Sequence, residues 1–420
     1  GFSSALIRKI DVKDTDYNTV FYFNIVISIC LYILLWICAP AISRFFSESL
    51  LIPVIRVLGL VLIINSCSII QRTVLVRNID FKTQTKVSLI ASLVSGGVGI
   101  TMALYHCGVW SLVGQQLSRQ FFNSVLLWIY GKWRPLWEFS YKSFKDLFGF
   151  GSKLLLSGLI DVFYKNVYYI VIGRYYSATQ LGQYTRAEQF STIFSSNLTS
   201  VFQRVSYPVL SSIQEEPERL RDAYRKIIKV TMLITFALMF GLAAIAKPLI
   251  VILIGEKWLM AVPFLQIICF SEMLYPLHAI NLNILQVRGY SGLFLKLEIV
   301  KKIIAVIPIM IGIFWGINYM LWGAVCISLV SYILNSYYSG RLIDYSTVKQ
   351  VKDIFPCFLV SSLVALLMWG ITFLHFNFLV TLLLQVSVGI LLAIVAYERM
   401  RLEEYKEIRR IILSIIRKNS

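Results

Sequence analysis

The chain has 420 residues, 58% of them hydrophobic and 15% charged, and a formal net charge of +18; its mean hydropathy is +0.73. So much apolar side chain leaves too little polar surface to coat a particle in water, which excludes a soluble globular protein. The excess of Lys and Arg would suit nucleic acid, but it sits in short segments beside apolar runs. That placement holds helix ends against anionic lipid, so the bilayer is an expected partner and nucleic acid is not.

About twenty apolar residues cross the hydrocarbon of a bilayer. In chain order, stretches of that kind occupy roughly 20–40, 50–71, 87–105, 108–130, 154–173, 183–203, 230–254, 259–287, 303–316, 319–340, 354–374 and 377–398. The pattern predicts an all-α polytopic membrane protein with about 12 transmembrane helices in this chain. The segment 303–316 is short as drawn, and is expected to start earlier, with Lys301 and Lys302 reaching back to the basic side. The connectors then alternate between two sides. On one side they are long and basic, at 131–153, 204–229, 341–353 and the tail 399–420. On the other they are about ten residues or fewer, and the basic residues assigned to that side are Arg44, Arg174, Lys257 and Lys247, the last just inside the end of 230–254. The positive-inside rule makes the basic side, and the C-terminus with it, cytoplasmic. The remaining basic residues, Arg56, Arg119, Lys165 and Arg186, fall inside apolar segments.

Cysteines at 30, 38, 67, 107, 269, 326 and 357 are scattered without a CxxC pair, and read as small packing residues. His106, His278 and His375 lie far apart with no metal-ligand spacing, so neither a metal nor a cofactor is expected. Gly96-Gly97-Val98-Gly99 lies within a span and reads as a site of close helix packing.

An internal repeat sets the expected architecture. Ala39-Pro40 ahead of a short loop is echoed by Lys247-Pro248, 208 residues later, and Ser3-Ser4 by Ser211-Ser212 at the same offset. Leu75-Val76-Arg77-Asn78 is echoed by Gln286-Val287-Arg288-Gly289 at 211, and Val109-Trp110 by Leu321-Trp322 at 212. Each match is weak and apolar segments resemble one another by composition, but the shared order with a slowly drifting offset favours a repeat. Two pseudo-symmetric six-helix lobes follow, the first lacking its first two helices ahead of Gly1, with an additional C-terminal helix pair. The expected domains are a remnant N-terminal lobe at 1–130, a cytoplasmic inter-lobe linker at 131–153, a C-terminal lobe at 154–340, and the helix pair with a basic tail at 341–420. Parallel repeats about an axis normal to the membrane are a known transporter plan.

Several segments resemble the polysaccharide or O-antigen flippases of the MOP superfamily. Ile172-Gly173-Arg174-Tyr175-Tyr176, followed by Gln180-Leu181-Gly182-Gln183-Tyr184-Thr185-Arg186-Ala187, is similar to that family's "G-R…LGxYxxA" stretch. Tyr207-Pro208-Val209-Leu210-Ser211 with Glu218-Arg219-Leu220-Arg221 resembles its "PxxS…ERLR" connector, and Leu253-Ile254-Gly255-Glu256-Lys257-Trp258 its "LLGxxW". Gly1-Phe2-Ser3-Ser4-Ala5-Leu6-Ile7 looks like the connector after the family's second helix. The resemblance implies a V-shaped bundle with a central cavity that alternates its opening. It also implies a polyprenyl-pyrophosphate-linked oligosaccharide as substrate, the inner membrane as location, and polysaccharide polymerase machinery as a partner. The absent first two helices line that cavity in the superfamily.

Carrying a pyrophosphate through hydrocarbon requires fixed cations, because an uncompensated charge there costs roughly several kcal/mol. Arg suits phosphate through its planar two-pronged fork. Arg119 lies mid-span within Gln115-Gln116-Leu117-Ser118-Arg119-Gln120, a run too polar to face lipid, and reads as cavity-lining. Lys165 follows Asp161 by four residues, which makes either a self-neutralised pair or a cavity lysine released by its partner. Arg186, near Glu188, and Arg56 lie a few residues inside the outer ends of their spans, so snorkelling competes with substrate contact. Asp161, Glu188 and Glu272 are the intramembrane carboxylates, candidates for coupling or for ion pairing. Glu272 shares a span with His278, Asn281 and Asn283, and either couples transport to a gradient or satisfies a helix break near Pro276. The Tyr-rich stretch around Tyr168, Tyr169, Tyr175 and Tyr176 is expected to be mostly interfacial packing. The alternative function is a cation-coupled small-molecule exporter on the same fold, whose site should be mostly apolar with one or two acids. A membrane enzyme would need a sizeable outer loop, and the outer loops here are too short.

Overall fold

The structure is a computed structural model that describes Leu6, residues 11–78 and 80–400, Tyr405 and Lys406. All regular secondary structure among the described residues is helical. Two compact units, Gly1–Val167 and Tyr168–Ser420, divide the chain. The first holds α1 (Asp14–Phe46), α2 (Leu51–Leu58), α3 (Leu60–Arg77), α4 (Phe81–Leu104), α5 (Val109–Tyr130) and the start of α6 (Tyr141–Tyr175). The second holds α7 (Ala178–Ser212), α8 (Pro217–Ile254), α9 (Ala261–Glu272), α10 (Tyr275–Val287), α11 (Ser291–Ile304), α12 (Val306–Trp315), α13 (Ile317–Leu342), α14 (Thr347–Gly370) and α15 (Phe378–Arg399).

Each expected span lies in one helix or in a pair broken by a residue or two, namely α2/α3, α9/α10 and α11/α12. Among the described residues, seven segments are both long and apolar enough to cross a membrane. Two of the unbroken helices outside that set have an evident reason: α5 carries Gln115, Gln116, Arg119 and Gln120, and α7 carries a run of Ser, Thr, Asn and Gln.

The long basic-side connectors read from hydropathy are a correction. They shrink to 131–140, 213–216 and 343–346, because the helices run on past the apolar stretches. α6, α7 and α8 have 35, 35 and 38 residues, or about 52–57 Å at 1.5 Å per residue, well beyond the hydrocarbon. Hydropathy marks where hydrocarbon ends, whereas a helix continues for as long as it satisfies its own backbone amides. The segment around 303–316 does start earlier, at Ser291, and Lys301 in its first half pairs with Glu298.

The repeat reappears in the elements. α1, with Pro40 inside it, corresponds to α8, with Pro248 inside it. The next span is broken in both units, at Gly59 and at Met273-Leu274. α3 and α10 both end on a residue with φ −83° and ψ 4°, Asn78 and Arg288. Asp80 then caps α4, its carboxylate accepting from the Thr83 N–H at 3.0 Å and the Thr83 hydroxyl at 2.7 Å. Those two donors hold the Asp80 carboxyl below its usual range.

In hydrocarbon the helices gain no hydrophobic free energy by meeting, so close packing and polar ties hold them. α8 is the axis of the second unit, with Tyr224, Ile228, Met232, Phe236 and Met239 buried at helical spacing, and it packs on α7, α9, α14 and α15. In the first unit Gly99 admits the Gln115 side chain of α5, whereas Gly96 and Gly97 face open space. Of the three glycines, only Gly99 serves helix packing as expected.

At the basic end of the second unit, Arg225 grips Asp353 through Nε at 2.5 Å and Nη2 at 2.7 Å. The Tyr345 hydroxyl donates to the same carboxylate at 2.6 Å; burial and that acceptor push the Tyr345 hydroxyl up. The tight α13–α14 turn depends on Gly340, where a Cβ would stand 2.6 Å from the Tyr345 carbonyl oxygen. Gly340→Ala should therefore destabilise the protein by about 1–3 kcal/mol, read as a lower thermal midpoint in detergent. Gly292→Ala, with open space around it, should leave the midpoint unchanged or raise it.

Candidate substrate-facing and coupling residues

In the first unit a polar seam joins α3 to α5. Gln120 Nε2 donates to Asn65 Oδ1 at 2.8 Å, Arg72 Nη2 to Asn123 Oδ1 at 3.0 Å, and Trp128 Nε1 to the Cys67 carbonyl at 2.9 Å. A further bond, Ser28 Oγ to Ser66 Oγ at 2.9 Å, ties α1 to α3. Arg119 stands apart from the seam. It is exposed and makes no hydrogen bond or ion pair among the described residues, about 15 Å along α5 from its N-terminal end at Val109. The Arg56 guanidinium lies 4.5 Å from the Trp36 ring centroid. Its Nε is buried with no hydrogen-bond partner among the described residues.

In the second unit α7 carries two polar edges. One is exposed and consists of Arg186, Gln189, Thr192, Ser196 and Asn197, at spacings that follow one side of a helix. Arg186 lies over Trp258, 5.4 Å from the ring centroid, and its Nη1 donates to Gln189 Oε1 at 2.9 Å. The Trp258 loop is itself fixed, since Gln183 Nε2 donates to the Lys257 carbonyl at 2.7 Å.

The other edge of α7, Glu188, Ser191 and Ser195, belongs to the side that packs on α9 and α10. Glu188 accepts from the Tyr169 hydroxyl, and Tyr169 packs edge-on against Tyr184. Glu272 accepts from Ser195 Oγ at 2.5 Å. Ser191 and Cys269 are buried, and the Ser191 hydroxyl has no hydrogen-bond partner among the described residues. Each carboxylate thus has one hydroxyl donor, and neither has an ion-pair partner among the described residues.

His278, Asn281 and Asn283 hold helices together. Asn281 Oδ1 accepts from the Tyr224 hydroxyl at 2.9 Å and from Ser339 Oγ at 2.5 Å, which joins α8, α10 and α13. Asn283 Nδ2 donates to Ser206 Oγ at 3.3 Å. His278 Nε2 lies 3.1 Å from Ser328 Oγ, which donates to the Ser271 carbonyl just before the helix break. The side chains of Asp161 and Lys165 lie outside the described residues; both positions are helical, on α6. Sequence reasoning missed Glu298 with Lys301, although their i, i+3 spacing was a usable signal. It also missed Trp36 and Trp258, for which spacing offers none.

A family model described as "Polysaccharide biosynthesis protein" matches residues 1–263. The chain is 25% identical over 394 residues to the teichuronic acid biosynthesis protein TuaB of Bacillus subtilis, covering 93% of this chain and 82% of TuaB. It is 23% identical over 272 residues to the succinoglycan biosynthesis transport protein ExoT of Rhizobium meliloti, covering 65% of this chain and 55% of ExoT. Among solved structures, the lipid II flippase MurJ in its inward closed conformation matches with a TM-score of 0.73 at 15% identity, over 95% of this chain and 88% of MurJ. That likeness shows the fold, an all-α polytopic membrane architecture.

Asn281→Ala removes the acceptor shared by two buried hydroxyls and should destabilise the protein by about 2–4 kcal/mol. The expected readout is a large fall in thermal midpoint. An unchanged midpoint with altered transport would instead place Asn281 among the working residues.

Proposed function

Because the chain belongs to the polysaccharide biosynthesis protein family, we propose that it carries a polyprenyl-pyrophosphate-linked oligosaccharide across the cytoplasmic membrane by alternating access. The observation that carries this reading is the exposure of Arg119 and Arg186 at membrane depth without an acidic partner among the described residues. Facing lipid, each would cost roughly several kcal/mol; facing a hydrated cavity, each offers a two-pronged donor to a passing phosphate. The exposed Gln, Thr, Ser and Asn edge below Arg186 supplies neutral hydrogen-bonding groups for sugar hydroxyls. Arg56, on its Trp36 platform, and Lys165, assigned from sequence alone, extend the cation set.

In this reading 1–130 and 154–340 act as the two lobes, 131–153 links them on the cytoplasmic side, and 341–420 is the additional pair with a cytoplasmic tail. No covalent chemistry is required. Glu188 and Glu272 are the coupling groups, each lacking a fixed counter-charge among the described residues and so able to load a proton or a metal cation, with Asp161 as a third candidate.

The test is complementation of surface glycan in cells that lack their own flippase. Arg119→Ala and Arg186→Ala should each reduce surface glycan tenfold or more at unchanged protein level, and the Lys variants should restore it only partly. Normal glycan in both Ala variants would remove these residues from the mechanism. In proteoliposomes, Glu188→Gln with Glu272→Gln should still allow transport down a substrate gradient while abolishing its acceleration by an imposed proton or sodium gradient. Undiminished acceleration would assign coupling elsewhere.

A further inference from the structure

The segment after α5 is held firmly and yet turns its largest side chains outward. The Leu136 backbone N–H donates to Asn18 Oδ1 at 3.1 Å and the Ser140 N–H to Thr19 Oγ1 at 3.0 Å. Both acceptors come from fully buried residues at the start of α1. Trp133 packs against Tyr17 and Phe21, with ring centroids 6.3 and 5.4 Å apart. Arg134 closes the end of α5, donating to the carbonyls of Trp128, Gly131 and Trp133. Phe144, on the first turn of α6, packs on Phe23 of α1 at 4.8 Å.

On this fixed support Trp137 is 94% exposed, although its ring stacks on Tyr22 at 5.3 Å, and Tyr141 is 72% exposed. Leu136 and Phe139 are more than half exposed, and Phe148 extends the patch along α6. A contiguous outward patch of this kind in water is unfavourable and marks an interaction surface. Lys132, Lys142 and Lys145 interleave with it, all exposed and none with an ion pair among the described residues. Glu138 and Asp146 are its only acids. The patch lies on the basic side, beside the inner ends of α4 and α5, where Lys86 of α4 sits over Tyr130 at 4.9 Å. An amphipathic ring at headgroup depth with a cation beside it is how a chain grips the anionic face of a membrane.

We propose that residues 132–148 form a lipid-binding platform that inserts Trp137, Phe139 and Tyr141 into the headgroup layer of the inner leaflet and binds anionic glycerophospholipid through Lys132, Lys142 and Lys145. The occupant is lipid because charge and depth agree: an apolar edge at the helix ends, a lysine fringe, and bilayer on every side of a spanning bundle. The platform rests on the orientation given by the basic connectors, not on the identity of the transported glycan.

The test uses nitroxide labels at Phe139→Cys and Tyr141→Cys in a variant with its native cysteines replaced, reconstituted in phosphatidylcholine with or without phosphatidylglycerol. Power saturation should find both labels more accessible to oxygen than to a water-soluble nickel chelate, at headgroup or upper acyl depth. Labels freely accessible to the chelate would overturn the platform and leave the patch open to a soluble protein. A second measurement counts motionally restricted spin-labelled lipid. The protein should prefer phosphatidylglycerol over phosphatidylcholine, and the triple Lys→Gln variant should lose about fivefold or more of that preference. The triple Lys→Arg variant should keep it, which separates charge from misfolding. An unchanged preference in the Gln variant would also overturn the proposal. Transport need not be measured, so neither outcome depends on the flippase reading.

Discussion

Hydrocarbon contains no water to satisfy a backbone amide or to solvate a charge, and this one property of the solvent explains the rest of the molecule. It forces every spanning segment into helix. It also removes the usual gain from burying apolar surface, so helices meet through fit and through polar ties. In the first unit these ties are the α3–α5 seam and the Ser28–Ser66 bond. In the second they are Tyr224–Asn281–Ser339 and the Arg225–Asp353–Tyr345 fork. A polar side chain that is not such a tie has to face a hydrated space. That contrast is the ground on which the proposed function uses Arg119 and the exposed edge of α7, whereas Asn281 is one of the ties.

The same solvent decides how much was legible in the sequence. Spans show because hydrocarbon demands about twenty apolar residues in a row. The repeat shows because Pro40 and Pro248, and the ends at Asn78 and Arg288, recur in order. The helix ends on the basic side were not legible. Beyond hydrocarbon, α6, α7 and α8 continue through residues whose polarity hydropathy reads as loop.

For the candidate residues, type and depth were readable but partnership was not. Arg56 and Arg186 look alike in sequence, each a cation near the outer end of a span. Only coordinates reveal that each has an indole beneath it. Asn281 and Glu272 share one apolar stretch, yet one is locked between two hydroxyls and the other keeps a single donor. Tertiary pairing across twenty or more residues leaves no local pattern to read.

Two of the shortest turns have a consequence of their own. Between α4 and α5 the chain reverses within Tyr105–Gly108, with His106 and Gly108 both at positive φ, and between α12 and α13 it reverses at Gly316 alone. Insertion of such a hairpin moves very few polar groups across the bilayer, so adjacent helices can enter the membrane as pairs during synthesis. The same brevity leaves a protease little to grip at these two turns.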